Sequence, residues 1–211
     1  MILNYWNRPT ILIISAIVMI IALIFHNVFQ SWVASRYGDN GPRFSGYMAF
    51  DPQQQLEPMG VLFMFLLGFG WPKTVPVSSR NYHGRGRQEA IVWYSGPLAY
   101  LIVAFVSVLV GSVILAVGGN VELYQAFLVA GSISVLHAVI NLFPVFPLDG
   151  AHAALAWGNA GVRRVIQQIQ SYGLIGFIVI FLLLSYTGIT GGLQNFFLQL
   201  FQSIIRLIPG L

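Results

Sequence analysis

Residues 9–37 read PTILIISAIVMIIALIFHNVFQSWVASRY, with no charged side chain before Arg36. That run exceeds the roughly 20 residues an α-helix needs to cross a hydrocarbon core of about 30 Å. Pro9 opens it at a position where its missing N–H costs nothing. The run is long and no small-residue cleavage site follows, so it reads as a retained helix rather than a leader. Residues 90–121, 123–148 and 165–205 are likewise uncharged and long enough to span. Hydrophobic residues make up 57% of the 211 positions and charged residues 8%, where soluble domains carry roughly 25% charge. So few charges cannot cover a water-soluble surface. The chain is therefore expected to be an all-α polytopic membrane protein with four to five transmembrane helices, lying among membrane lipids.

The order of the remaining segments follows from turn formers and periodicity. Gly38-Asp39-Asn40-Gly41-Pro42 ends the first helix, and a weak alternation over Phe44–Phe50 suggests a short β-hairpin. Residues 58–72 are apolar but short, and contain Gly60, Gly68, Gly70 and Pro72; the stretch reads as a crossing, a re-entrant segment or an interfacial one. Spans are expected over about 90–117, 121–143 and 165–187. In the tail, Asn195, Gln199, Gln202 and Arg206 recur at helical spacing opposite Phe196, Phe197, Leu200, Phe201, Ile204 and Ile205. That pattern fits a helix lying in the interface or packed on the other helices. The chain thus divides into a transmembrane domain, 1–190, and an amphipathic C-terminal tail, 191–211. The pairs Gly111-Ser112 and Gly131-Ser132 offer small surfaces to partner helices in lipid.

The net charge of +4 comes from loop arginines. Beside apolar spans these set topology and meet lipid headgroups, and no nucleic-acid motif accompanies them. Lys73, Arg80, Arg85 and Arg87 face only Glu89 in the strongest basic loop. If 58–72 does not cross, Arg36, Arg43, Arg163 and Arg164 share that side, leaving Arg8 and Arg206 opposite. The positive-inside rule then runs the first helix from outside to inside a cell membrane. With no cysteine, there is neither a disulfide framework nor a thiolate metal site.

Ionisable groups inside apolar spans mark where chemistry would sit, because burying them in hydrocarbon is costly. His26-Asn27-Val28-Phe29-Gln30 places residues 26 and 30 on one helix face. Asn141-Leu142-Phe143-Pro144-Val145-Phe146-Pro147-Leu148-Asp149-Gly150 breaks a helix just before an aspartate. An imidazole and a carboxylate at one depth are a metal-ligand set or a hydrogen-bonded pair. His137 is an interhelical hydrogen-bonding group or an axial ligand to a haem or chlorophyll-type pigment, as His26 also could be. His83 belongs to the basic loop, and Glu57 and Glu89 are the other acids near the inner face.

At these residues the chain resembles the site-2 protease family of intramembrane zinc metalloproteases. HNVFQSWVASRYGD resembles the family's zinc helix, whose pattern is His-Glu-x-x-His followed by an Ala, Arg and Gly-Asp run. NLFPVFPLDG resembles the second signature, which supplies an aspartate as third zinc ligand. SGPLAY is similar to the Gly-Pro-Leu-Ala-Asn start of the intervening helix, and FGWPKTVPV to its proline-bounded approach. The matches fall in the family's order over about residues 10–155.

The resemblance implies zinc held by two histidines and the aspartate, with the glutamate taking a proton from bound water. Here His26 and Asp149 remain as vestigial ligands, Gln30 stands at the second histidine position, and Asn27, an amide without useful basicity, stands at the general base. Tyr100 replaces the family's asparagine. No catalytic residue and no cofactor are expected; zinc is expected only if an active protease uses an unconventional third ligand. Asn141, Pro144, Pro147, Gly96 and Pro97 would line a substrate or partner groove, Asn141 otherwise capping a helix-breaking turn. Asp149 would accept backbone N–H bonds or pair with His26 or His152. The leading expectation is a non-catalytic structural or regulatory subunit of a heteromeric membrane complex. The alternatives are an active zinc metalloprotease and a pigment-bearing subunit of an energy-transducing complex.

Overall fold

A computed structural model describes residues 2–78, 80 and 82–210. After a 3-10 turn at Ile2–Tyr5, the helices are α1 (Pro9–Arg36), α2 (Gly41–Phe44), α3 (Pro52–Gln55), α4 (Pro58–Leu67), α5 (Arg85–Ala116), α6 (Val121–Asn141), α7 (Asp149–Trp157), α8 (Ala160–Gln170), α9 (Gly173–Tyr186) and α10 (Ile189–Ile205). No strand occurs among the described residues. The protein is an all-α polytopic membrane protein, with three helices long and apolar enough to cross a bilayer, or four if α8 and α9 count as one bent span.

α1, α5 and α6 form the central bundle. Met19, Ala22 and Leu23 of α1 meet Tyr100 of α5, Ile133 and Ala138 of α6, and Met64 of α4 in its buried core. Outward rows such as Ile13, Ile17 and Ile21 of α1 stay exposed at four-residue spacing. A soluble monomer rarely shows so continuous an apolar stripe; in a bilayer it faces acyl chains. Of the small residues expected to receive partner helices, Gly111, Gly131 and Ser132 are used inside the chain instead. A Cβ on Gly131 would lie 2.9 Å from Val108 Cγ2, and one on Gly111 would lie 3.2 Å from the Tyr124 carbonyl, so both glycines bring α5 and α6 together. Ser132 is taken by α10, whose Gln194 amide donates to its hydroxyl at 2.8 Å.

α4 has ten residues, about 15 Å at 1.5 Å per residue, half a hydrocarbon core. It enters and returns. Leu56 before it and Pro72 after it form an antiparallel bridge, which puts both ends on one side. The return is possible because Gly60 and Gly70 lack side chains: a Cβ on Gly60 would fall 1.9 Å from the Trp71 carbonyl oxygen. At the turn, His137 accepts the Gly70 N–H at 3.1 Å.

Two sequence expectations are corrected. The Phe44–Phe50 hairpin does not form. Pro42 and Pro52 each start a single helical turn instead, α2 and α3, and Asp51 caps the latter by accepting from the Gln53 N–H at 2.9 Å. Nor is 165–187 one straight span. Gly173 takes a left-handed φ of 56°, and α8 and α9 meet at 105°. The polar residues of α8, Arg163, Arg164, Gln167 and Gln168, oppose Val162, Val165, Ile166 and Ile169, a pattern that favours the interface over the bilayer interior. In the tail, α10 packs Phe201 on Ala104, Val135 and Val139 of the bundle.

One side chain ties residues 41–78 to the end of α1. The buried Asp39 carboxylate accepts the Gly41 N–H at 3.0 Å, the Ser78 N–H at 2.7 Å and the Tyr82 hydroxyl at 3.1 Å. Burial, and then the neighbouring carboxylate, push the Tyr82 phenol well above its usual pKa. Replacing Asp39 with alanine strands at least these three donors among the described residues. It is expected to destabilise the protein by about 2–4 kcal/mol, read as a lowered melting temperature in detergent micelles.

Candidate functional site

Three structural choices bring the site together. α1 carries His26, Asn27 and Gln30 on buried positions. Pro144 and Pro147 end α6 and force a loop, with a cis Phe146-Pro147 bond, after which α7 begins at Asp149. α5 presents Gly96 opposite both. A Cβ there would lie 2.2 Å from His26 Nε2 and 2.2 Å from Asp149 Oδ2, so only glycine leaves room for their contact.

His26 Nε2 and Asp149 Oδ2 are 2.6 Å apart and buried. The Gln30 amide nitrogen donates to Asp149 Oδ1 at 3.3 Å and to the Trp93 carbonyl at 3.2 Å. That carbonyl is unpaired within α5 because Pro97, four residues on, has no N–H. Asn27 Nδ2 donates to the Lys73 carbonyl at 2.8 Å and the Gln55 carbonyl at 3.4 Å. Its oxygen is therefore turned to His26 Nδ1, 3.0 Å away. It follows that Nδ1 carries a proton, and that a second proton lies between Nε2 and Oδ2. The pair is neutral as a unit, as its burial in a membrane span demands. Tyr100 stacks on His26 with ring centroids 4.7 Å apart.

The residues expected to cluster do so in part. His26, Asn27, Gln30, Asn141, Pro147 and Asp149 border one cavity of about 10 Å³, room for a single water. Gly96 does not border it but lies against the His26–Asp149 contact, and Pro97 acts through Trp93. Pro144 is exposed and away from it, and Asn141 donates its amide to the His137 carbonyl at 2.9 Å. Glu57 and Glu89 do not border it. Asp149 pairs with His26, not His152, which stacks on Trp93 at 4.1 Å and whose pKa is lowered by burial. Both nitrogens of His137 are engaged, Nδ1 on the Ile133 carbonyl at 2.8 Å and Nε2 on Gly70. Those of His26 are engaged too, so neither histidine offers a lone pair to a pigment.

Sequence reasoning missed Gln55, Lys73 and Trp93, the acceptors of the two amides. Backbone carbonyls leave no side-chain signature. Only Pro97 hinted at one of them, by freeing the carbonyl four residues earlier.

A zinc ion fits these residues poorly. Tetrahedral ligands about 2.0–2.1 Å from zinc stand roughly 3.3 Å apart, whereas His26 and Asp149 share a proton at 2.6 Å. Gln30 turns N–H, not oxygen, toward Asp149. Among the described residues no three His, Cys, Asp or Glu side chains form a metal-holding group.

Comparison with known proteins gives a consistent set of relatives. The chain is 29% identical over 171 residues to YwhC of Bacillus subtilis, covering 78% of each protein. It is 28% identical over 194 residues to Rip2 of Mycolicibacterium smegmatis, covering 86% of this chain and 68% of that one. Rip2 of Mycobacterium tuberculosis is 26% identical over 77% of this chain and 64% of its own. All three bear the name of candidate zinc metalloproteases. No protein-family model matches the chain, and no solved structure matches it significantly.

Proposed function

The chain belongs to the site-2 protease family, as a member without the full His-Glu-x-x-His motif, and from that premise we propose that it is a non-catalytic structural or regulatory subunit that binds other membrane proteins. The observation that carries this reading is Asn27. At the position of the general base it spends its N–H bonds on two backbone carbonyls, and an amide oxygen cannot take a proton from water near neutral pH. The self-satisfied His26–Asp149 pair supports it.

The protein is an integral membrane protein, and we place it in the cytoplasmic membrane with the former active-site side inward. The paired ends of the re-entrant segment support this, since they put Arg36, Arg43 and Lys73 on one side. Partner helices have the exposed α1 row and the outer face of α10, Phe196, Leu200 and Ile204, to pack on. Extraction in mild detergent, followed by native gel and mass spectrometry, is expected to give a heteromeric particle without stoichiometric zinc. A particle of this chain alone, at its 23.3 kDa mass, refutes the subunit role. The names of the relatives favour an active zinc protease as second reading; one zinc per chain, lost on His26→Ala or Asp149→Ala, would overturn the non-catalytic reading in its favour.

A further inference from the structure

Residues 41–57 and 71–78, on either side of the bundle-packed α4, form a cap beside the His26–Asp149 pair, and its attachment to α1 is uneven. Both ends are held at one point, where Asp39 accepts the N–H groups of Gly41 and Ser78. Between them the cap is knitted to itself: Lys73 N–H donates to the Gln55 carbonyl at 2.8 Å, and the Gln55 amide donates to the Tyr47 and Ala49 carbonyls, each at 2.9 Å. Among the described residues, the α1 side chain that hydrogen-bonds this middle part is Asn27, through the Lys73 and Gln55 carbonyls.

We propose that Asn27 is a latch that holds the cap shut over the site, and that the cap loosens between two fixed points, Asp39 at its ends and the bundle-seated α4 at its middle. This deepens the reading of a non-catalytic member and rests on it in one respect: the residue at the general-base position has acquired a different task. Two carbonyl oxygens converge where Asn27 places its amide nitrogen. A carboxylate there would face two acceptors with no proton to offer, and both would repel it. The closed cap and the family's glutamate therefore exclude one another. With the cap down, the remaining cavity admits no more than a water, so neither a peptide segment nor a hydrated ion reaches His26. Loosening the cap breaks the two Asn27 bonds while Asp39 keeps both cap ends beside α1 and α4 stays seated through Met64 and the Gly70–His137 bond.

The chain contains no cysteine, which makes a single reporter clean. Val75 and its neighbour Thr74 both border the cavity, but Val75 is 2% exposed whereas Thr74 is already open to solvent with the cap shut. In purified protein, Val75→Cys should react with a water-soluble maleimide far more slowly than Thr74→Cys. Adding Asn27→Asp should speed labelling of Val75→Cys by about tenfold or more, the opening equilibrium gained when hydrogen bonds of this kind are lost. Labelling of Thr74→Cys should not change. If Asn27→Asp does not fold, Asn27→Ser removes the amide without adding charge and gives the same reading. Equal rates with and without the latch, or a Val75→Cys that labels as fast as Thr74→Cys from the outset, overturn the proposal. The readout involves neither metal nor partner, so it stands or falls apart from the subunit test.

Discussion

Asn27→Glu combined with Gln30→His is expected to give a chain that binds one zinc ion, where the parent chain binds none stoichiometrically. Two potential ligands already face each other, His26 and Asp149, and need only part from their 2.6 Å shared-proton contact to roughly 3.3 Å to admit the ion. The third position is aimed correctly, because the Gln30 amide reaches Asp149 Oδ1 at 3.3 Å and lies one helical turn after His26. An imidazole at position 30 completes the three protein ligands a catalytic zinc site supplies, and the Trp93 carbonyl is at hand to orient its other ring N–H. The carboxylate at position 27 does two things: it supplies a base near the metal, and it removes the donor that holds the cap on the Lys73 and Gln55 carbonyls. Gln30→His alone leaves the site covered, and Asn27→Glu alone leaves it one ligand short, so each single variant should bind zinc weakly or not at all. Elemental analysis of the folded, detergent-purified variants decides the matter. A double variant that folds yet holds no zinc means that His26 and Asp149 are not placed as ligands, and that the likeness to the zinc helix fails at the site itself.

The features legible in the sequence were those written in side chains. A helix of 28 residues with a histidine and an amide one turn apart, and a Pro-x-x-Pro break ahead of an aspartate, sufficed to bring His26, Gln30 and Asp149 together. What stayed hidden was written in backbone. The weak alternation of Phe44–Phe50 suggested strands, but proline at the head of each following turn favours helical dihedrals, and α2 and α3 result. The apolar length of 165–205 suggested a straight span, yet the polar face of α8 and the left-handed Gly173 outweigh it. Gly111 and Gly131 were read as partner surfaces because a sequence does not say which neighbour a small residue admits. Asn27 shows the same limit at the site. Its identity announces the loss of a base, while its gain, a grip on two carbonyls 28 and 46 residues away, is visible only once the re-entrant segment has returned over α1.

Gly96→Ala is expected to be among the most damaging single substitutions in the chain, although it adds one methyl group. That methyl would stand 2.2 Å from both His26 Nε2 and Asp149 Oδ2 and 2.8 Å from His26 Cδ2, in the line of the hydrogen bond that neutralises the pair. Relief by movement is blocked on every side. Asp149 is fixed as the first residue of α7, His26 is stacked on Tyr100, and α5 itself is wedged against α1, α6 and α7. Either the helices separate, or the pair parts and leaves an imidazole and a carboxylate uncompensated in a dry interior. Overpacking and a broken buried pair together cost about 3 kcal/mol or more. In a chain of this length that lowers the melting temperature by roughly 6–12 °C. Gly191→Ala is the matched control: it lies in α10, its added Cβ meets nothing within 4 Å, and alanine there favours the helix by up to about 1 kcal/mol. Thermal unfolding of both variants in the same detergent separates a specific steric conflict from a general intolerance of change. If Gly96→Ala melts with the parent chain, then α5 does not press on the His26–Asp149 contact, and the glycine owes its place to helix packing alone.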